Sequence, residues 1–77
     1  MHASEMFDRI IADNRLRNDA ALAHRLEASP SDISRMRNGI KAVGATMIVN
    51  LHETFGIPIA TIKNALGMKS LASLVPK

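Results

Sequence analysis

The sequence predicts an all-α fold, a compact domain of five short helices, and three observations carry that expectation. Apolar residues recur at helical spacing along the chain, and no segment alternates like a strand. Pro30, Gly39, Gly44, Gly56, Pro58 and Gly67 punctuate the pattern where helices would start and stop. There is no cysteine, so disulfides and thiolate zinc sites are excluded and stability must come from helix packing.

The elements follow in order. Ser4 is a candidate cap for a first helix over residues 5–14, with Met6, Phe7, Ile10 and Ile11 on one side. Arg15, Leu16 and Arg17 form a link, and Asn18 is a candidate N-cap for a second helix whose apolar face is Leu22, Ala23 and Leu26. Ser29 as N-cap, Pro30 at the first helical position and Asp32 three residues on resemble a capping box. This third helix turns Ile33 and Met36 inward and ends at Gly39. Gly44 precedes a fourth helix with Met47, Ile48, Leu51 and Phe55, which stops at Gly56. Pro58 opens a fifth with Ile59, Ile62 and Leu66 facing in, closed by Gly67. Residues 1–67 are therefore expected to form the domain. Residues 68–77 form a tail with Met68, Leu71, Leu74 and Val75, apolar enough to pack somewhere.

Bulk properties bound the function classes. A chain of 77 residues makes one domain, and at this size only about 60 to 70% of the unfolded surface is buried. Little remains for a second module or a deep substrate cleft. The 47% hydrophobic and 22% charged content is that of a folded domain and not of a disordered tail. No stretch approaches the roughly 18 apolar residues of a membrane span. The N-terminal segment carries Glu5 and Asp8 where a signal peptide would be basic, so the expected compartment is the cytoplasm.

The net charge of +3 is unevenly spread. Residues 1–32 hold four basic and six acidic side chains, a balance of −2; residues 33–77 hold six basic ones against Glu53, a balance of +5. A basic half suits a phosphate-facing surface, because neutralised phosphates release counterions. An ordinary solvated surface with a lysine-bearing tail fits the same count.

Residues 19–38 read as a helix-turn-helix: two helices of roughly two turns each, joined by a turn of about three residues. Ala23 lies where the helices would cross closely, and a larger side chain would push them apart. Such a unit sets one helix into the major groove of DNA.

Leu22, Ala23, Leu26, Ser29, Ile33, Met36, Asn38 and Gly39, then Leu51, Phe55, Gly56 and Ile57, carry a resemblance. Over roughly residues 4 to 67 the chain resembles the DNA-binding domain of lambdoid phage repressors and Cro proteins, the Xre-like helix-turn-helix family. The resemblance implies a five-helix repressor-like fold that binds operator DNA, usually as a symmetric dimer, and acts on transcription. One departure is Glu27, at the turn position where the family favours glycine. In a left-handed conformation Glu should cost about 1 kcal/mol relative to Gly.

With Ile33 and Met36 inward, Ser31, Ser34, Arg35 and Asn38 point out by the 100° step. Ser31, Asp32 and Arg35 match positions from which the resembling repressors read base edges. Arg35 can pair bidentately with guanine, Asp32 can accept from cytosine or cap its own helix, and Pro30 can offer apolar contact to a thymine methyl. Asn18 and Asn38 match positions that hold the DNA backbone in the family. Lys41, with the amides of Gly39 and Ile40, suits a phosphate, and Arg17 is a further candidate. Arg37 is expected to pair with Asp13 inside the molecule.

His52-Glu53 lacks a second histidine at metalloprotease spacing, and no nucleophile elbow or Gly-rich phosphate loop occurs. No enzymatic activity, metal, cofactor or small-molecule ligand is expected. The expected partners are double-stranded operator DNA and a second copy of the chain, with a phage- or prophage-type transcriptional regulator as the leading reading. An antitoxin that autoregulates its own operon, and a helix-turn-helix fold used as a protein-interaction module, are the alternatives.

Overall fold

The computed structural model describes residues 3–67. Every regular element among them is a helix: α1 Ala3–Asp13, α2 Asp19–Arg25, α3 Pro30–Arg37, α4 Ala45–Phe55 and α5 Ile59–Ala65. The apolar tail expected over residues 68–77 lies outside the described residues.

Each helix contributes to one core. Met6, Phe7 and Ile10 of α1, Leu22 and Ala23 of α2, Leu26 just after it, Ile33 and Met36 of α3, Ile48 and Leu51 of α4 and Ile62 of α5 are buried. Ile59 and Leu66, expected to face in, are only half-buried at its margin, as are Ile11, Met47 and Phe55. Among the described residues no polar or charged side chain is buried. Ala23, 1% exposed, belongs to the core that α2 shares with α3, the helix it packs against. A longer side chain there would have no space, as in any close-packed interior.

Two of the expected caps form. Asn18 Oδ1 accepts from the Ala21 amide at 2.9 Å, and Ser29 Oγ accepts from the Asp32 amide at 3.1 Å. Each satisfies one of the amides that a helix start leaves without a partner. Ser4 does not cap α1. It lies inside the helix, which begins at Ala3, and its hydroxyl accepts from Arg37 at 2.9 Å.

Every helix ends on a left-handed residue: Arg15 (φ 54), Glu27 (φ 53), Gly39 (φ 73), Gly56 (φ 69) and Gly67 (φ 76). At α2 the Glu27 amide donates to His24 O at 3.1 Å and the Ala28 amide to Ala23 O at 2.9 Å. That pair of bonds is the Schellman closure, which satisfies the last carbonyls and turns the chain sharply. Glu27 therefore adopts the conformation that favours glycine, and residues 26–29 suffice to carry the chain from α2 into α3. Arg15 closes α1 in the same way, with Leu16 donating to Ile11 O at 2.9 Å.

Arg37 joins three helices. Its guanidinium donates twice to Asp19, Nε to Oδ2 and Nη2 to Oδ1, both at 2.9 Å. Nη1 lies 2.8 Å from Asp8 Oδ1 and donates to Ser4 O at 3.0 Å. The expected pairing with Asp13 does not form. Asp13 faces Arg9 one turn back at 3.9 Å, while Asp8 and Asp19 converge on the end of α3. The hydrogen bond to Asp19 raises the Arg37 pKa above its ordinary value, burial opposes the rise and Asp8 adds to it. Arg37 is thus a fixed cation that locks the start of α2 and the N-terminal half of α1 to the end of α3.

Candidate nucleic-acid interface

α3 is held from behind by Ile33, Met36 and Arg37, so its other faces stay free. Pro30, Ser31, Ser34 and Arg35 are exposed and Asp32 is half-buried. Ser31, Ser34, Arg35 and Asn38, the outward set expected from the 100° step, are all exposed. The exposed stripe is short, because the helix has eight residues.

Asp32, Arg35 and Lys41 form a cluster. Asp32 Oδ1 lies 3.6 Å from Arg35 Nη1, and Oδ2 lies 3.3 Å from Lys41 Nζ. The capping box is only half built. The Ser29 hydroxyl receives the Asp32 amide, whereas the Asp32 carboxylate turns to the two cations. Its place in the first turn still suits the helix dipole.

The loop after α3 departs from expectation. The amides of Gly39 and Ile40 are not free to hold a phosphate. Gly39 donates to Met36 O at 3.3 Å, Ile40 to Arg35 O at 2.9 Å, and Lys41 also to Arg35 O at 3.2 Å. With Gly39 left-handed, the helix closure itself uses these donors. Cationic capacity in this loop therefore resides in the Lys41 side chain. Beside it Ile40 is 76% exposed, the most open large apolar side chain among the described residues.

Asn18 spends its carbonyl oxygen on the α2 cap, which leaves its NH2 group to donate outward. Asn38 turns one N–H back to Ser34 O at 2.9 Å and keeps the other. The Arg37–Asp19 pair brings the end of α3 to the start of α2, so Asn18 and Asn38 fall at the same end of the α2–α3 unit. Arg17 is exposed in the segment before α2. Asp32, Arg35 and Lys41 are thus brought together by direct contact, and the two asparagines by the Arg37 clamp.

Two further contacts tie elements together. His52 Nδ1 lies 2.7 Å from the carbonyl of Ile57, which can only accept, so Nδ1 carries the proton and ties down the turn after α4. Arg25 stacks over the Phe55 ring at 5.1 Å, linking α2 to α4. Among the described residues no group of His, Cys, Asp and Glu could hold a metal ion, and no helix is long and apolar enough to cross a membrane.

No family model, curated protein or solved structure matches the chain.

Proposed function

We propose that this protein binds double-stranded DNA sequence-specifically and regulates transcription, as a homodimer of the lambdoid repressor and Cro kind. The observation that carries the reading is the presentation of α3. Its back is fixed by Ile33 and Met36 in the core and by Arg37 to α2 and α1, while Pro30, Ser31, Ser34 and Arg35 are open to solvent. A helix-turn-helix reads DNA by placing such a helix in the major groove. Arg35 supplies the bidentate guanine contact, with Ser31, Ser34 and Pro30 filling positions beside it. Asn18, Asn38, Lys41 and Arg17 hold phosphates on either side. None of this assigns a reacting group, and we propose no enzymatic activity.

Dimerisation belongs to the same reading. An eight-residue helix covers only a few base pairs, too few for high specificity, and two copies on a pseudo-palindrome would double the site. Half-sites would then lie about 34 Å apart. Selection of bound fragments from a random duplex pool tests the proposal. A recovered motif with two inverted half-sites is the expected outcome, and unenriched DNA would contradict it.

A further inference from the structure

We propose that Asp32 is a specificity-determining residue, an internal competitor that keeps Arg35 and Lys41 from binding phosphate indiscriminately. The inference rests on the DNA-binding reading above and adds a role that exposed cations alone would not give.

The cluster is arranged for competition. One carboxylate, with a side chain 31% exposed, faces Arg35 at 3.6 Å and Lys41 at 3.3 Å. As a stabiliser such a half-exposed cluster is worth little. As a competitor its size is suitable, because a phosphate contact at the surface is also a modest, salt-screened interaction. Any DNA phosphate that approaches either cation must displace the carboxylate or accept a like charge beside it. Nonspecific duplex, which offers phosphates and no matched base edge, meets this opposition without compensation.

A matched site is different. A base amino group in the major groove, cytosine N4–H2 or adenine N6–H2, can donate to the Asp32 carboxylate. The carboxylate then gains a partner as the two cations move to guanine and to phosphate. The same side chain therefore penalises random sequence and rewards one class of base pair. The position of Asp32 in the first turn of α3 is where base edges are met when such a helix enters the groove.

The test compares the full chain with Asp32→Asn, and with Lys41→Ala in both backgrounds. Binding to random-sequence duplex and to fragments selected by the unaltered chain is followed by fluorescence anisotropy over a range of salt. Asp32→Asn should tighten random-duplex binding about three- to tenfold and steepen the log–log salt slope by up to about one unit. Affinity for the selected fragments should stay level or fall, so the specificity ratio drops. Removing Lys41 should shrink the gain, because one of the competed cations is gone. Random-duplex affinity that is unchanged or weaker in Asp32→Asn, with thermal stability retained, would overturn the inference. The unaltered chain separates the two readings. If it binds duplex and Asp32→Asn behaves identically, only the role of Asp32 falls. If neither protein binds duplex, the DNA-binding reading falls with it. Duplex binding that appears only in Asp32→Asn would support the competitor role.

Discussion

Glu27 and Arg15 occupy left-handed backbone at φ 53 and 54, a region that residues other than glycine, asparagine and aspartate rarely enter. Both conformations are held by Schellman bonds, so the strain is repaid locally. Replacing Glu27 with glycine keeps those bonds and relieves the side chain. Glu27→Gly is expected to stabilise the fold by about 1 kcal/mol, raising the melting midpoint by roughly 4–8 °C. A midpoint that falls in thermal denaturation would show that the turn carries no such strain. Arg37 works in the opposite sense. Its side chain is 17% exposed and its donors are committed to Asp19, Asp8 and Ser4. Arg37→Met would leave Asp19 and Asp8 without the cation they share, at a cost of about 2–3 kcal/mol. Arg37→Lys should recover only part of this, since an ammonium cannot make the two-pronged contact with Asp19. Urea denaturation of the three proteins checks the order, and an Arg37→Met variant as stable as the parent would contradict it.

At the scale of elements, helix identity was legible wherever the deciding chemistry is local. Asn18 and Ser29 are caps because a side-chain oxygen reaches an amide three residues ahead, and that relation is visible in sequence. Ser29→Ala should accordingly cost about 1 kcal/mol in urea denaturation; no loss would mean that the cap is idle. Contacts between elements were not legible to the same degree. Asp8, Asp13 and Asp19 are equivalent candidates for Arg37 in sequence, and only the approach of α1 and α2 to the end of α3 selects Asp8 and Asp19. The same clamp explains Ser4, which reads as a cap but serves Arg37. The outward face of α3 followed from Ile33 and Met36, whereas the Asp32–Lys41 contact depends on the path of the loop after Gly39. Occupation of the Ile40 amide was foreseeable, because a left-handed glycine after a helix directs the next amide back to a helical carbonyl. Packing between α2 and α3 gives a further prediction. Ala23→Leu must push the helices apart and should destabilise the domain by about 1–3 kcal/mol. If a folded fraction survives, its DNA affinity should drop as well. Stability equal to that of the parent in urea would contradict the close crossing.

At the level of the domain, five helices among the described residues share one small core, and the surface presented by α3 and the following loop is mostly polar, with Arg35 and Lys41 beside the single acid Asp32 and with Pro30, Ile40 and Ala42 as its exposed apolar residues. Such a surface suits a polyanion better than an apolar partner, and the salt dependence of duplex binding reports on that most directly. Arg17 and Lys41 from each of two protomers would neutralise about four phosphates, for a log–log slope of roughly −3 to −4. Between about 50 and 200 mM salt the affinity for a selected fragment should then fall roughly a hundredfold. The measurement is anisotropy of the full chain against a selected and a random duplex across that range. Sequence-specific DNA binding predicts steep salt dependence on both, with the selected duplex bound far more tightly at every salt concentration. Equal and salt-insensitive behaviour on the two duplexes, or no binding even at the lowest salt, would contradict it.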